Sequence, residues 1–419
     1  MPEDVRVEVD SITQLIPETS GQIEGADLVI GILAELDQDG VASVCQALRT
    51  IPGRLRVALI SKGKIAIAPQ ADSVTPENGM SLTVVPWPVT QLEDTGQNIS
   101  TAYQSIFLAA EKLEARACCI MASKLETGQP QWICNLAQPL LDAGFDLVLP
   151  RYARHTLQGM LNSSIIYPLI RALYGKQIQN PMGPDLGVSR RLFNTILGQD
   201  RNANASGRRI HPLASLSPIA LCNNLQVCQV QIGARVYPPT DWTNISSLLV
   251  AALGPIFLDM EKNAPCWQRI RGSMVVSTFG EPQPPSPETG MVDVGRLVNS
   301  FQLGSRELQE IWGLVLPPAT LFELMKLSRL APEKFQLPDE LWARIVYDFA
   351  LAHRLRTINR DHLLRSMTPL YLGWIASHAR EVETTEAAVE DRLERLSIAY
   401  EVGKPYLVSR WRWPDRFNP

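Results

Sequence analysis

The sequence predicts an α/β domain with a mixed sheet, followed by an α-helical carboxyl-terminal domain. Continuous apolar runs such as ADLVIGILAEL (26–36), RLRVALISKG (54–63), LTVVPWPV (82–89) and FDLVL (145–149) have the length of buried strands. Stretches with helical spacing separate them, and strands that alternate with helices make a sheet covered by helices. Past a Pro-rich stretch at 279–290, read as a linker, the apolar spacing turns helical and stays so. The expected division is residues 1–278, the linker 279–290, and a helical domain over 291–419 whose tail packs back.

In chain order, 26–36 is the first strand. VASVCQALRTI (41–51), apolar at Val41, Val44, Cys45 and Leu48, is the helix after it. RLRVALISKG and LTVVPWPV give the second and third strands, and a helix starts near Asn98. ARACCIMASK (115–124) gives a further strand, and FDLVL the next. From 148 to 193 the pattern reads as a basic loop, a helix with Ile165, Ile166, Leu169, Ile170 and Leu173 on one face, and a Gly/Pro-rich turn. Beyond Asp185 a short helix starts near Ser189. In the helical domain, DELWARIVYDFALAHRL starts after Pro338 and carries Leu341, Ile345, Val346 and Phe349 on one face.

A chain of 419 residues, 45% hydrophobic, can bury one large core or two moderate ones. The net charge of −4 supplies no global pull toward nucleic acid or anionic lipid, so an anion site has to be local. No apolar run reaches the roughly 18 residues of a membrane helix. The start, MPEDVRVEVD, lacks the basic flank and apolar core of an export signal, so the expected setting is cytoplasmic. Seven cysteines lack the paired spacing of a zinc site and sit mostly in apolar segments; they are expected to be free structural thiols.

The central segment carries the first clue to function. Between Asp146 and Asp185 there is no carboxylate, while Arg151, Arg154, His155, Arg171 and Lys176 fall inside. If it lines a cleft, that cleft attracts anions. Arg151, Arg154 and His155 then form a clamp for a carboxylate or phosphate, since arginine offers a planar fork of donors. The alternative is a solvated basic loop. Asp185, at a Gly/Pro turn, either accepts a hydrogen bond from a ligand hydroxyl or caps a helix. His211, after Arg208 and Arg209, is either a base working near neutral pH or a structural residue beside Pro212.

This segment resembles bacterial sugar transferases of the GT-A fold, in particular the group of mannosylglycerate and glucosylglycerate synthases. Pro150, Tyr152, Arg154, His155, Gly159, Asn162, Tyr167-Pro168, Arg171 to Gly175, Pro181, Gly183, Asp185, Gly187 and Ser189 match the pattern in order. So do Ala26, Asp27, Val29, Gly31 and Ile32 of the first strand, Pro130, Trp132 and Ile133, Cys228, Gln229, Gly233, Ala234 and Pro239, and the closing KPYLVSRW. The resemblance implies a GT-A-type, Rossmann-like domain, a nucleotide-sugar donor and a small carboxylate or phosphate acceptor. It assigns Gly31, Glu35, Gly96 and Asn98 to the nucleotide, and Arg151, Arg154, His155 and Asn162 to the acceptor.

The departures from the pattern are as informative. The two carboxylates with which the family holds a divalent metal fall on Ala122 and Lys124. The distal acidic position falls on His211, and the histidine that completes the metal site on Tyr237. The second strand ends in Ser61, Lys62, Gly63 and Lys64 instead of an acidic turn, and Gln97 replaces the family's lysine. No metal cofactor is expected, because neither alanine nor lysine binds magnesium or manganese. Lys124 either stands in for the metal against a diphosphate or is a surface lysine.

Three functions follow as expectations. The first is a pseudoenzyme that keeps the scaffold for binding, regulation or assembly, with a protein partner or a second copy of itself. The second is an active hexosyltransferase that builds glucosylglycerate or mannosylglycerate without metal through Lys124 and the Arg151/Arg154 cluster, with Asp185, Lys124 and His211 as the candidate catalytic residues. The third is a carbohydrate- or anion-binding module.

Overall fold

The computed structural model describes residues 25–35, 38–51, 54–62, 81–87, 96–122, 130–155, 157–205, 211–234, 244–284, 292–382 and 386–414. They fold into two compact units, each assembled from separated stretches of chain. The described parts of Met1–Tyr152, Asn180–Ile232 and Val276–Pro282 form the sheet unit; those of Ala153–Gln179, Gly233–Val275 and Gln283–Pro419 form the helical unit.

The elements run β1 (Leu28–Glu35), α1 (Gln38–Leu48), β2 (Arg56–Lys62), β3 (Ser81–Trp87), α2 (Gly96–Lys112), β4 (Ala117–Met121), α3 (Pro130–Asp142) and β5 (Leu147–Ala153). A π-turn (Asn162–Ile166) leads into α4 (Tyr167–Tyr174), followed by β6 (Lys176–Gln177), β7 (Leu186–Ser189), α5 (Arg190–Ala205), α6 (Pro212–Cys222) and β8 (Val227–Ala234). Then come α7 (Ile245–Lys262), α8 (Ala264–Trp267), β9 (Met274–Val275) and β10 (Thr278–Phe279), and after them the helices of the carboxyl-terminal third.

Among the described residues the sheet has eight strands, in the order β10-β8-β5-β7-β4-β1-β2-β3. Strands β1 to β4 are mutually parallel where they pair, and β7 runs antiparallel between β4 and β5. The mixed sheet expected from the sequence is thus present. On one face of β1, Leu28, Ile30 and Ile32 join Val44 and Leu48 of α1 and Trp132, Ile133 and Leu136 of α3 in one core. Gly31, pointing the other way, faces α2 so closely that an added Cβ would lie 2.3 Å from Ile106 Cδ1. Helices on both faces leave β1 no solvent side, which is why it reads as an unbroken apolar run.

Two local expectations need correction. The helix expected near Ser189 does begin there, at Arg190, but it spans 16 residues instead of being short, and the strand β7 lies between it and Asp185. Its cap is Ser189, whose Oγ accepts from Leu192 N at 3.3 Å and donates to Asp146 Oδ1 at 2.8 Å. Asp185 is no helix cap. Secondly, Phe279, assigned to the linker, closes the short strand β10 and stands opposite Val230 of β8; residues 285–290 lie outside the described residues.

Cys118, Cys119, Cys134 and Cys228 are buried free thiols, and Cys45 is half-buried and free. Burial pushes the Cys228 thiol up to about 12, so it stays protonated and inert. The free-thiol expectation fails for Cys222 and Cys266, which are not free. Among the described residues no helix is long and apolar enough to cross a membrane.

The helical unit continues with α9 (Val294–Glu307), α10 (Gln309–Val315), α11 (Pro318–Leu327), α12 (Asp339–Leu355), α13 (Arg360–Ser366), α14 (Thr368–Val382) and the 27-residue α15 (Glu386–Arg412). The KPYLVSRW stretch lies on α15 and its residues hold this unit together. Lys404 Nζ donates to the carbonyls of Leu173 (2.9 Å) and Ile270 (2.7 Å), tying off the end of α4. Tyr406 OH donates to Asp348 Oδ1 at 2.7 Å, Arg410 pairs with the same carboxylate, and Trp411 packs edge-on to Trp267 with ring centroids 5.2 Å apart.

His353 of α12 gives this unit an acid-sensitive step. It is buried beside Phe257, and burial followed by the charge of Arg360 lowers its pKa to about 4. Its unfolded value lies near 6.5. The unfolded chain therefore binds the extra proton between these values, and stability present above about pH 6.5 is lost as pH falls toward 4. A His353→Gln variant is expected to show a shallower loss of urea midpoint between pH 6.5 and 4 than the wild type. Parallel curves for the two proteins would remove His353 as the cause.

Candidate functional site

At the carboxyl end of β4 the chain brings a carboxylate, a phenol and a backbone amide together. Asp185 is fully buried. Its Oδ1 accepts from Ala122 N at 2.9 Å, and its Oδ2 accepts from Tyr152 OH at 2.6 Å. The same phenol oxygen accepts from the Asp185 backbone amide at 3.4 Å. Tyr152, at the end of β5, is itself buried and tilted against Trp132, with centroids 6.5 Å apart. Both carboxylate oxygens thus have donors, as a buried carboxylate requires.

The turn that delivers Asp185 is pinned residue by residue. Asn180 Nδ2 donates to Pro150 O at 2.9 Å, Ser217 Oγ donates to Pro181 O at 2.6 Å, and Tyr103 OH donates to Pro184 O. Gly183 lies against the ring of Pro150, where an added Cβ would come within 2.5 Å of Cγ. A proline ring cannot swing aside, so this position has no room for a side chain. The Gly/Pro-rich stretch read as a turn is therefore a rigid cradle for one carboxylate.

The basic loop after β5 is built differently. Arg151, on β5, and Arg154 and His155, just past it, are all half-buried. Gly159 has φ +65, and an added Cβ would lie 2.6 Å from Arg154 Nη1, so the guanidinium lies over the bare glycine. The loop closes on itself: Gln158 N donates to His155 O at 3.0 Å, and His155 N donates to Gln158 Oε1 at 3.2 Å. Asn162 opens the π-turn and donates from Nδ2 to Gln179 O at 2.8 Å.

Arg171 does not belong with these cations. It is 3% exposed and forks onto Glu394 through Nη1 (2.6 Å) and Nη2 (2.7 Å), while Nε donates to Glu401 at 2.6 Å and to Ser273 Oγ at 3.1 Å. Burial works against its charge, but the hydrogen bonds to Glu394, Tyr167 and Glu401 outweigh that and raise its pKa further. Its charge is neutralised inside the helical unit. Of the basic residues that the sequence placed in this segment, Arg171 is therefore removed from the candidates for the expected anion contact.

His211 is the N-cap of α6. Its Nδ1 accepts from Ala214 N at 3.4 Å, and burial lowers its pKa. That nitrogen is engaged with the helix end, which favours the structural role over that of a base. Gly31 sits in β1 against Ile106, a packing position. Glu35 ends β1 opposite Lys62, and Gly96 and Asn98 lie in the first turn of α2; the side chains of Glu35, Asn98 and Lys62 lie outside the described residues. So do Lys124, Tyr237, Gly63, Lys64, Arg208, Arg209 and Pro239 entirely. Tyr152 is the contact partner that the residue-by-residue reading missed; nothing in its own flanks showed that its hydroxyl meets Asp185.

No protein-family model and no curated protein matches the sequence. Among solved structures, the fold is similar to glucosyl-3-phosphoglycerate synthase from Mycobacterium tuberculosis, solved with Mn2+, UDP-glucose and glycerol 3-phosphate. That match has 16% identity, covers 60% of this chain and 83% of the other, and has a TM-score of 0.33. The same enzyme with phosphoglyceric acid gives 15% identity, 60% and 83% coverage, and 0.33. A further mycobacterial protein gives 17%, 60% and 78%, and 0.33.

Proposed function

We propose that this chain is a glycosyltransferase-fold protein that has given up metal-dependent sugar transfer and acts as a binding or regulatory module for a small carboxylate or phosphate. One observation carries the reading. At the end of β4, where the resemblance calls for a carboxylate on a divalent cation, the chain presents the methyl group of Ala122, and the nearby Asp185 is engaged by the Ala122 amide and the Tyr152 hydroxyl. A hard divalent cation needs several oxygen ligands. Among the described residues no three His, Cys, Asp or Glu side chains converge to hold one. Ala122 and Lys124, at the positions where the resemblance calls for carboxylates, offer no side-chain oxygen to such a cation.

Losing a metal on a diphosphate forfeits several kcal/mol of charge stabilisation in the transition state, on the order of what a Lewis acid supplies. The basic loop is a separate asset, because charge-assisted hydrogen bonds to a small anion need only Arg154 and its neighbours. Titration calorimetry with UDP- and GDP-sugars, with and without manganese, and with glycerate and phosphoglycerate, tests both halves. The expected result is weak, salt-sensitive binding of the acids, abolished by Arg154→Ala in a folded protein, and no manganese-dependent binding of nucleotide sugar. Acceptor-dependent release of nucleotide from a sugar donor overturns the pseudoenzyme reading, and wild-type protein that binds neither acid at millimolar concentration overturns the binding role.

A further inference from the structure

The π-turn between the basic loop and α4 has a cause in the sequence and a support elsewhere in the helical unit. In a regular α-helix the carbonyl of Ser164 would accept from the amide of residue 168. That residue is Pro168, which has no N–H and whose ring crowds the carbonyl four residues back. The helix widens there, and Tyr167 N–H reaches back five residues to Asn162 O. Ser164 O is left without the α-helical donor four residues on, and the residue is fully buried.

Two side chains from distant parts of the chain supply donors. Trp342 Nε1 of α12 donates to Ser164 O at 3.0 Å, and Tyr400 OH of α15 donates to it at 3.1 Å. Both rings are buried, and Tyr400 packs edge-on to Tyr347 at 5.5 Å. Below the turn, Ser164 Oγ donates to Met160 O at 2.5 Å and Ser163 N donates to Gly159 O at 3.1 Å. The Ser164 carbonyl thereby connects α12 and α15 to Gly159, the residue under the Arg154 guanidinium, and to Asn162, tied to Gln179.

We propose that Trp342 and Tyr400 are positioning residues for the basic loop: by holding the Ser164 carbonyl that Pro168 releases, they fix the π register that places Asn162 and Gly159. A return to α register would turn Asn162 by roughly one residue, about 100° around the axis, and shift the glycine seat of Arg154. The carboxyl-terminal helices thus act on ligand binding without touching ligand. This rests on the reading of the basic loop as the anion site.

The test uses the full chain, inorganic phosphate and glycerate as probes, and amide hydrogen exchange over residues 157–170. Tyr400→Phe and Trp342→Phe each keep a ring and remove one donor. Each is expected to speed exchange in that stretch and weaken phosphate binding roughly three- to tenfold, the range for loss of one hydrogen bond. Pro168→Ala restores a backbone donor for Ser164 O, so Tyr400→Phe made in that background is expected to have little further effect on exchange or affinity. A merely structural role for Tyr400 would give the same loss in both backgrounds. Exchange unchanged by both single variants overturns the positioning role whatever the ligand result, whereas accelerated exchange in a protein that binds no anion keeps the hub and overturns the anion site.

Discussion

Arg171→Ala is expected to lower the folding free energy by about 3 kcal/mol, the scale for breaking a buried ion pair by removing one partner. The Arg171 side chain is 4% exposed and meets two carboxylates 223 and 230 residues away in sequence. Removing it leaves Glu401 hydrogen-bonded to Ser273 at 2.5 Å but without the guanidinium that now donates to it. Glu394 is half-exposed and regains water, which keeps the loss at the lower end of the 3–5 kcal/mol range. Arg171→Lys keeps the charge but has a single ammonium where a fork now spans two acids, so it is expected to recover about half the loss. Urea unfolding measures both. A loss below about 1 kcal/mol for Arg171→Ala would return the arginine to the candidates for contact with a ligand.

Arg171 also marks where sequence reading stops. Its own neighbourhood has no carboxylate over nearly forty residues, so the charge pattern placed it with Arg151 and Arg154. The acids that neutralise it lie on α15, and no local pattern announces a pairing across more than 200 residues. The strands β1, β2 and β4 were legible because helices cover both faces, leaving near-continuous apolar runs. β7 was not, since four residues between a Gly/Pro turn and a helix are too few to set a period. The helix after the basic loop was legible from Ile165 to Leu173, yet its π-turn was written in one residue, Pro168, four places after a carbonyl that then needed another donor. Donors from Trp342 and Tyr400 could be located only in three dimensions.

The carboxylate cradle offers the second large effect, because Asp185 either serves a ligand or serves the fold, and the two roles separate by mutation. Asp185→Ala would leave the Ala122 amide and the Tyr152 hydroxyl buried without their acceptor. At about 1–3 kcal/mol for each unsatisfied group, a loss of about 3 kcal/mol is expected. Asp185→Asn keeps one oxygen for the Ala122 amide and turns an NH2 toward Tyr152, whose hydroxyl can rotate from donor to acceptor, so its cost is expected near 1 kcal/mol. Tyr152→Phe removes one donor from a carboxylate that keeps the Ala122 amide, and combined with Asp185→Ala it is expected to cost less than the sum of the two, since both delete one contact. If Asp185→Ala is as stable as wild type while anion or sugar binding disappears, the carboxylate is a ligand group and the cradle a binding pocket. If stability falls as expected and binding per folded molecule does not, Asp185 serves the fold, as a bolt between the ends of β4 and β5.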